Sequence, residues 1–293
     1  MNGALYAEET AQPSAARPRV RFCLNTSTLR EHKLSFVEKV ELAAKAGYDG
    51  IEPWIGEIQQ YVAEGGRLED LRKRIADLGL SVESAIGFAR WIVDDDAERA
   101  KGLEDARRDM DLVRRIGGSR IAAPPAGATN EPGLNLFRAA ERYHALLEVG
   151  RQIGVVAQLE VWGFSKNLSR LGETAFVAIE SGHPSACILP DVYHIYKGGS
   201  DFEGLALLSG AAVHVFHMND YPADPPRATI TDAHRVYPGD GVAPLSRILQ
   251  LIFNNGFCGA LSLELFNRDY WKQDPFVVAK TGLEKMKAAV ANV

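Results

Sequence analysis

The chain has 293 residues, 46% of them hydrophobic and 24% charged, with 33 Lys and Arg against 38 Asp and Glu for a formal charge of −5. This is the composition of an ordinary soluble globular protein. It lacks the ~18 uninterrupted apolar residues of a membrane span and the basic excess by which nucleic-acid binders neutralise phosphate. The three cysteines, Cys23, Cys187 and Cys258, lie far apart in apolar runs with no CxxC, so they read as buried reduced thiols of a cytoplasmic protein. Residues 1–18 carry no basic-then-apolar leader and are expected to be a flexible arm ahead of one domain over 19–293.

From Val20 onward, short β-type runs alternate with stretches of helical period. Val20-Arg-Phe-Cys-Leu-Asn25 opens the series. A helix over 35–47 follows, with apolar residues at 36, 37, 40, 43 and 44 on one face and Gly47 as its stop. Gly50-Ile-Glu-Pro-Trp54 is the second strand, a helix over 67–78 closes at Gly79, and Leu80-Ser-Val-Glu-Ser-Ala-Ile86 is the third. A charged helix over 95–116 leads to Ser119-Arg-Ile-Ala-Ala-Pro124, and one over 133–153 leads to Val155-Val-Ala-Gln-Leu-Glu-Val161. The second half adds a helix over 172–181, Ala186-Cys-Ile-Leu-Pro-Asp191, a short helix over 202–208 and Ala212-Val-His-Val-Phe-His-Met218. A helix over 244–255, Ala260-Leu-Ser-Leu-Glu-Leu265 and a helix over 275–290 complete it. Eight strands, each followed by a helix, predict an α/β protein with a parallel sheet closed as a single (β/α)8 TIM barrel. An open doubly wound sheet is the alternative. The G-x-G-x-x-G and P-loop patterns are both absent, which argues against a nucleotide site.

Chemistry on such a barrel sits where strands end, so the polar residues closing the apolar runs are the informative ones. Glu160, Asp191, His217 and Glu264 close the fifth to eighth runs, and period-two alternation allows each to point inward. Three carboxylates and an imidazole form an O/N set for one divalent ion, with Mn2+ favoured over Mg2+, Co2+ or Zn2+ and no thiolate to force zinc. Without a dication, clustered buried carboxylates would raise one another's pKa.

Gln158-Leu-Glu-Val161, Asp191-Val-Tyr-His194, His217-Met-Asn-Asp220 and Ser262-Leu-Glu-Leu-Phe-Asn267 resemble the motifs of the xylose-isomerase-like barrels of sugar-phosphate isomerases and epimerases. Thr231-Asp-Ala-His-Arg-Val-Tyr-Pro-Gly-Asp-Gly241 and Glu264-Leu-Phe-Asn-Arg-Asp-Tyr-Trp271 resemble the inosose (2-keto-myo-inositol) isomerase branch. The likeness runs from Val20 to the last residue and is densest over 158–271. It implies that Glu160, Asp191, His217 and Glu264 hold the metal, that His194 and Arg235 contact substrate oxygens, and that the protein is a homo-oligomer.

The chemistry implied is removal of a proton α to a carbonyl and its return elsewhere, through an enediolate, with Glu160 and Glu264 as the acid/base carboxylates. The expected partner is a small polyhydroxy ketone, with no nucleic acid and no membrane. His194 is a substrate contact, a support for Glu160 or a helix-cap histidine. Arg235, in the long loop 219–242, is a substrate contact or a salt-bridge partner of Asp232 or Asp240. Glu52 and Trp54, at the end of the second strand, are further candidate substrate contacts, and Phe88, Trp91 and Trp162 are candidate aromatic walls. A lyase or dehydratase on a keto-sugar shares the first step. An abasic-site endonuclease and a non-catalytic sugar-binding barrel are more distant readings.

Overall fold

The computed structural model describes residues 20–293, and the arm expected over 1–18 lies outside the described residues. Eight parallel strands follow in order: β1 (Arg21–Asn25), β2 (Gly50–Glu52), β3 (Ser81–Val82), β4 (Arg120–Ala123), β5 (Val156–Glu160), β6 (Ile188–Leu189), β7 (Val215–Met218) and β8 (Ala260–Leu263). One ladder runs β3-β2-β1-β8-β7 and the other β4-β5-β6. The two join where bridges Ile188–Val213 and Asp191–His217 tie β6 to β7, and where Ala122 N donates to Ala85 O at 2.8 Å beside β3. Because β1 pairs with β8, the sheet is closed and the open doubly wound alternative falls. The fold is a TIM barrel.

The helices are α1 (Phe36–Ala46), α2 (Ile55–Ala63), α3 (Leu68–Asp77), α4 (Asp96–Arg115), α5 (Leu136–Ile153), α6 (Leu171–Glu180), α7 (Val192–Gly198), α8 (Leu245–Asn254) and α9 (Pro275–Ala291). Local chemistry sets their ends. Ser35 and Glu38 form a capping box at the start of α1, and Gly47 takes the left-handed conformation that ends it, φ +95°. Two helices go beyond the sequence reading. Both α2 and α7 are short and begin within three residues of a strand, so their apolar residues merge with the strand's run. The helix expected over 202–208 is a 3-10 helix, Phe202–Leu207.

Alternation along the strands positions the site. Cys23, Ile86, Ala122, Leu189, Val215 and Ala260 pack together as a layer inside the barrel. Two residues further along, on the same side of each strand, stand Asn25, Asp191, His217 and Ser262. The register agrees: Ser262 pairs with Cys23 on one side and with His217 on the other. Residues of opposite parity, such as Leu24, Leu159, Phe216 and Leu263, face the helices and build the larger outer core. Cys23 and Cys187 are buried as expected, and burial pushes the Cys187 thiol up to about 12. Cys258 is exposed, contrary to the expectation, because it lies in the turn between α8 and β8. No helix among the described residues is long and apolar enough to cross a membrane.

Candidate active site and metal centre

Asp191, His217 and Glu264 converge above the interior layer, each offering a ligand atom within 4.8 Å of the other two. His217 Nδ1 stands 3.5 Å from Asp191 Oδ2 and 3.3 Å from Glu264 Oε2. Its Nε2 lies 3.0 Å from Glu52 Oε2, which also accepts from Asn25 Nδ2 at 2.9 Å and Ser262 Oγ at 2.6 Å. With Nε2 engaged by Glu52, Nδ1 is the ring nitrogen that faces the two carboxylates. Nδ1 is buried and has no hydrogen-bond partner. An orphaned ring nitrogen facing two carboxylate oxygens, backed by a carboxylate on its other nitrogen, is the arrangement of a metal-ligating histidine. The donor set therefore fits a divalent ion.

Arg235 lies over this group. Its Nη1 is 2.9 Å from Asp191 Oδ2 and 2.8 Å from Glu264 Oε2, and its Nε donates to Asp232 Oδ1 at 3.0 Å. The guanidinium also stands 4.5 Å over the Tyr193 ring. Burial opposes its charge, but Asp191, Asp232 and Glu264 outweigh burial and hold the pKa above its ordinary value. Asp191 is the converse case: burial would raise its pKa, yet Arg235, His194 and His217 together hold the carboxyl well below the usual carboxylate range. His217 is raised well above its usual value by Glu264, Glu52 and Asp191 in spite of burial.

Asp191 has a second role as N-cap of α7, accepting from His194 N at 2.8 Å. Asn219 Nδ2 donates to its other oxygen at 3.1 Å. His194 is held by Gly163, whose backbone N–H meets Nδ1 at 3.2 Å; a Cβ on Gly163 would lie 2.3 Å from the His194 carbonyl, so only glycine permits this approach. Its Nε2 lies 2.9 Å from Arg235 Nη2, and burial together with Arg235 lowers its pKa. Arg235 is brought in by loop 219–242, which Asp220 organises by accepting the backbone N–H groups of Gly239, Gly241 and Ala243 at 2.9–3.1 Å.

A cavity of about 240 Å3 opens above the three ligands, lined by Glu160, Glu264, His194 and Arg235 and walled by Trp54 and Phe266 among other aromatics. Glu160 is buried, and its pKa is raised well above the usual carboxylate value by burial and by the nearby charges of Glu264, Asp191 and Glu52, with His217 opposing. It accepts no side-chain hydrogen bond among the described residues.

The structure thus gathers three of the four expected ligands, and Glu160 stands on the cavity wall outside their triangle. Arg235 makes the expected salt bridge to Asp232 and reaches the Asp191 and Glu264 carboxylates as well, whereas Asp240 pairs with Lys285. Trp54 lines the cavity as expected. Glu52 does not: it is fully buried against His217, because its inward position on β2 lies below the cavity floor. Phe88 and Trp162 are wall residues, while Trp91 is buried core, donating to Pro124 O at 2.9 Å. Sequence reasoning passed over Asn25, Asn219, Ser262, Arg30 and Phe266. The signal for Asn25 and Ser262 was their strand parity with His217; nothing local marks Arg30.

A closed parallel barrel with two carboxylates and a buried imidazole converging at its strand ends defines a TIM-barrel enzyme with a candidate metal centre. The sequence profile of the xylose isomerase-like TIM barrel family matches residues 40–289, and the chain belongs to that family. An inosose isomerase of Bacillus velezensis is 24% identical over 276 residues, covering 93% of this chain and 98% of the relative. A 3-dehydroshikimate dehydratase of Pseudomonas aeruginosa is 28% identical over 242 residues, 78% of this chain but 36% of the dehydratase. A solved structure of the IolI protein with a zinc atom superposes with a TM-score of 0.86 at 21% identity, covering 93% of this chain and 98% of that one. The protein is an enzyme with isomerases and dehydratases among its relatives.

Proposed function

We propose that the protein is a divalent-metal-dependent isomerase or epimerase of a keto-inositol or related ketose. The observation that carries the reading is the pair Glu160 and Glu264 in one 240 Å3 cavity above the Asp191, His217 and Glu264 cluster, with Glu160 accepting no side-chain hydrogen bond among the described residues. That volume suits a single sugar-sized ring rather than a larger ligand.

Asp191, His217 and Glu264 hold the ion, for which Mn2+ is our choice; when bound, it polarises the carbonyl and offsets the charge of the enediolate. Glu160 takes the proton α to the carbonyl. It lines the cavity with no side-chain hydrogen bond among the described residues, so its oxygens are free to reach the substrate. Glu264 returns a proton at the neighbouring carbon or on the opposite face. His194 and Arg235, both on the cavity lining, contact substrate oxygens and orient the ring. The aromatic wall excludes water from the proton in transit. We also propose that the enzyme is cytoplasmic and homo-oligomeric, with the half-exposed or more exposed Phe137 and Ile179 on α5 and α6 as part of the contact.

Incubation of the purified protein with inosose and Mn2+ in D2O, followed by NMR, tests the reading. Deuterium entry at the α carbon with an isomeric ketone as product is expected. Loss of water without an isomeric ketone would replace it by the dehydratase reading, which the 28%-identical relative supports.

A further inference from the structure

A second cavity, of about 730 Å3, lies beside the reaction cavity, between the segment joining β1 to α1 and the helix α2. The two cavities share Arg30 and Trp54, so these side chains stand at the passage between them. The Arg30 guanidinium carbon is 3.8 Å from the centroid of the Trp54 ring and 5.1 Å from that of Phe266. Among the described residues, the Arg30 side chain makes no hydrogen bond or ion pair. Stacking on an aromatic face occupies the flat of a guanidinium and leaves its in-plane N–H fork free, the geometry that receives a carboxylate through two parallel bonds.

Two other cations nearby are committed. Lys39 pairs with Glu57 at 2.6 Å, and Arg235 is held by Asp191, Asp232 and Glu264. Exposed Lys33 adds a second uncommitted positive charge to the outer cavity. The helix N-termini at this cavity are already served by acidic side chains, Glu38 on α1 and Glu57 on α2. They leave no amide cradle of the kind a phosphate takes, whereas a carboxylate needs only the Arg fork.

We propose that Arg30 binds the carboxylate of an acidic polyhydroxy ketone, so that the substrate is a keto-sugar acid or its cyclic counterpart, with its reacting ring in the inner cavity. The proposal rests on the function inferred above for that inner cavity and narrows its substrate class. Calorimetric titration of the Mn2+-loaded full chain with sorbitol, gluconate and sorbitol 6-phosphate tests it. Gluconate is expected to bind at least about tenfold more tightly than sorbitol. Arg30→Gln, at an exposed position, is expected to remove most of that preference while changing sorbitol affinity less than about twofold and metal content not at all. Gluconate affinity unchanged in Arg30→Gln would assign the carboxylate to the metal instead and overturn the proposal. Equal losses for sorbitol and gluconate would overturn it too, as would a larger Arg30-dependent gain for sorbitol 6-phosphate, and absence of binding by all three would overturn both readings. Glu160→Gln separates the two claims: gluconate preference retained in the native protein and this variant, with no α-proton exchange by the native protein on any ketone, would count against the function and leave Arg30 as a carboxylate site.

Discussion

Glu160 ends β5 and Glu52 ends β2, yet their surroundings give them different work. Glu160 faces the cavity without a hydrogen-bond partner, while Glu52 is locked by His217, Ser262 and Asn25. Replacing Glu160 by glutamine keeps the volume and removes the base. Solvent-deuterium exchange at the α carbon should fall by about 10²- to 10⁴-fold, with bound metal unchanged by elemental analysis; exchange at the native rate would remove Glu160 from the mechanism. Replacing Glu52 by glutamine loosens the partner of His217 Nε2 without touching a ligand atom. Metal affinity should drop roughly 10- to 100-fold, read by competition with a chromophoric chelator. An unchanged affinity would mean that His217 needs no carboxylate behind it.

At the scale of elements, α7 and loop 219–242 do the positioning. The helix α7 begins on Asp191 itself, so one carboxylate both starts the helix and faces the metal cluster, and the first turn then delivers His194. The helix α4 shows a different balance. Asp109, on its inner side, accepts only from Gln59 Nε2 at 3.3 Å, and burial raises its pKa to about 6. A folded-state pKa above the unfolded value near 3.9 means that folding favours the protonated form. The resulting destabilisation is absent below about pH 4, grows as the pH rises toward 6 and is complete above it. Asp109→Asn should therefore stabilise the protein at pH 7 by about 1 kcal/mol after discounting for solvent screening. It should have no effect near pH 3.5, as thermal melts at the two pH values would show. Equal stabilisation at both would point to packing instead of charge.

For the whole molecule, the proposed ligands come from the ends of three different strands, Asp191 just after β6, His217 in β7 and Glu264 just after β8. An ion held there ties together a stretch of barrel wall that is otherwise a cluster of like charges. Because metal binds the folded site and not the dispersed ligands, an ion at about 100 times its Kd should add about 2.7 kcal/mol of stability. For a chain of this size the thermal midpoint should rise by at least several degrees on adding Mn2+ or Zn2+. His217→Ala should abolish the shift, which differential scanning fluorimetry reads directly. A shift of native size in that variant would place the ion elsewhere.

Much of the barrel was legible in the order of residues because both of its periods are local. Strand runs such as Val155-Val-Ala-Gln-Leu-Glu-Val161 and the capped, Gly-terminated helix Phe36–Ala46 declare themselves within a dozen residues. Parity likewise allows Glu160, Asp191, His217 and Glu264 to point toward one interior. The short helices α2 and α7 were hidden because a single turn or two carries too little pattern to separate from the strand before it. Two matters were decided by tertiary structure alone. Glu52 and Glu160 both end strands, and only the heights of those strands in the closed barrel put one beneath His217 and the other on the cavity wall. Arg235 and Arg30 look alike in sequence, and only folding buries the first among three carboxylates and stacks the second, unpaired, on Trp54. Periodicity along the chain fixes which side a residue faces; the charge and distance of its neighbours depend on contacts made by residues far apart in sequence.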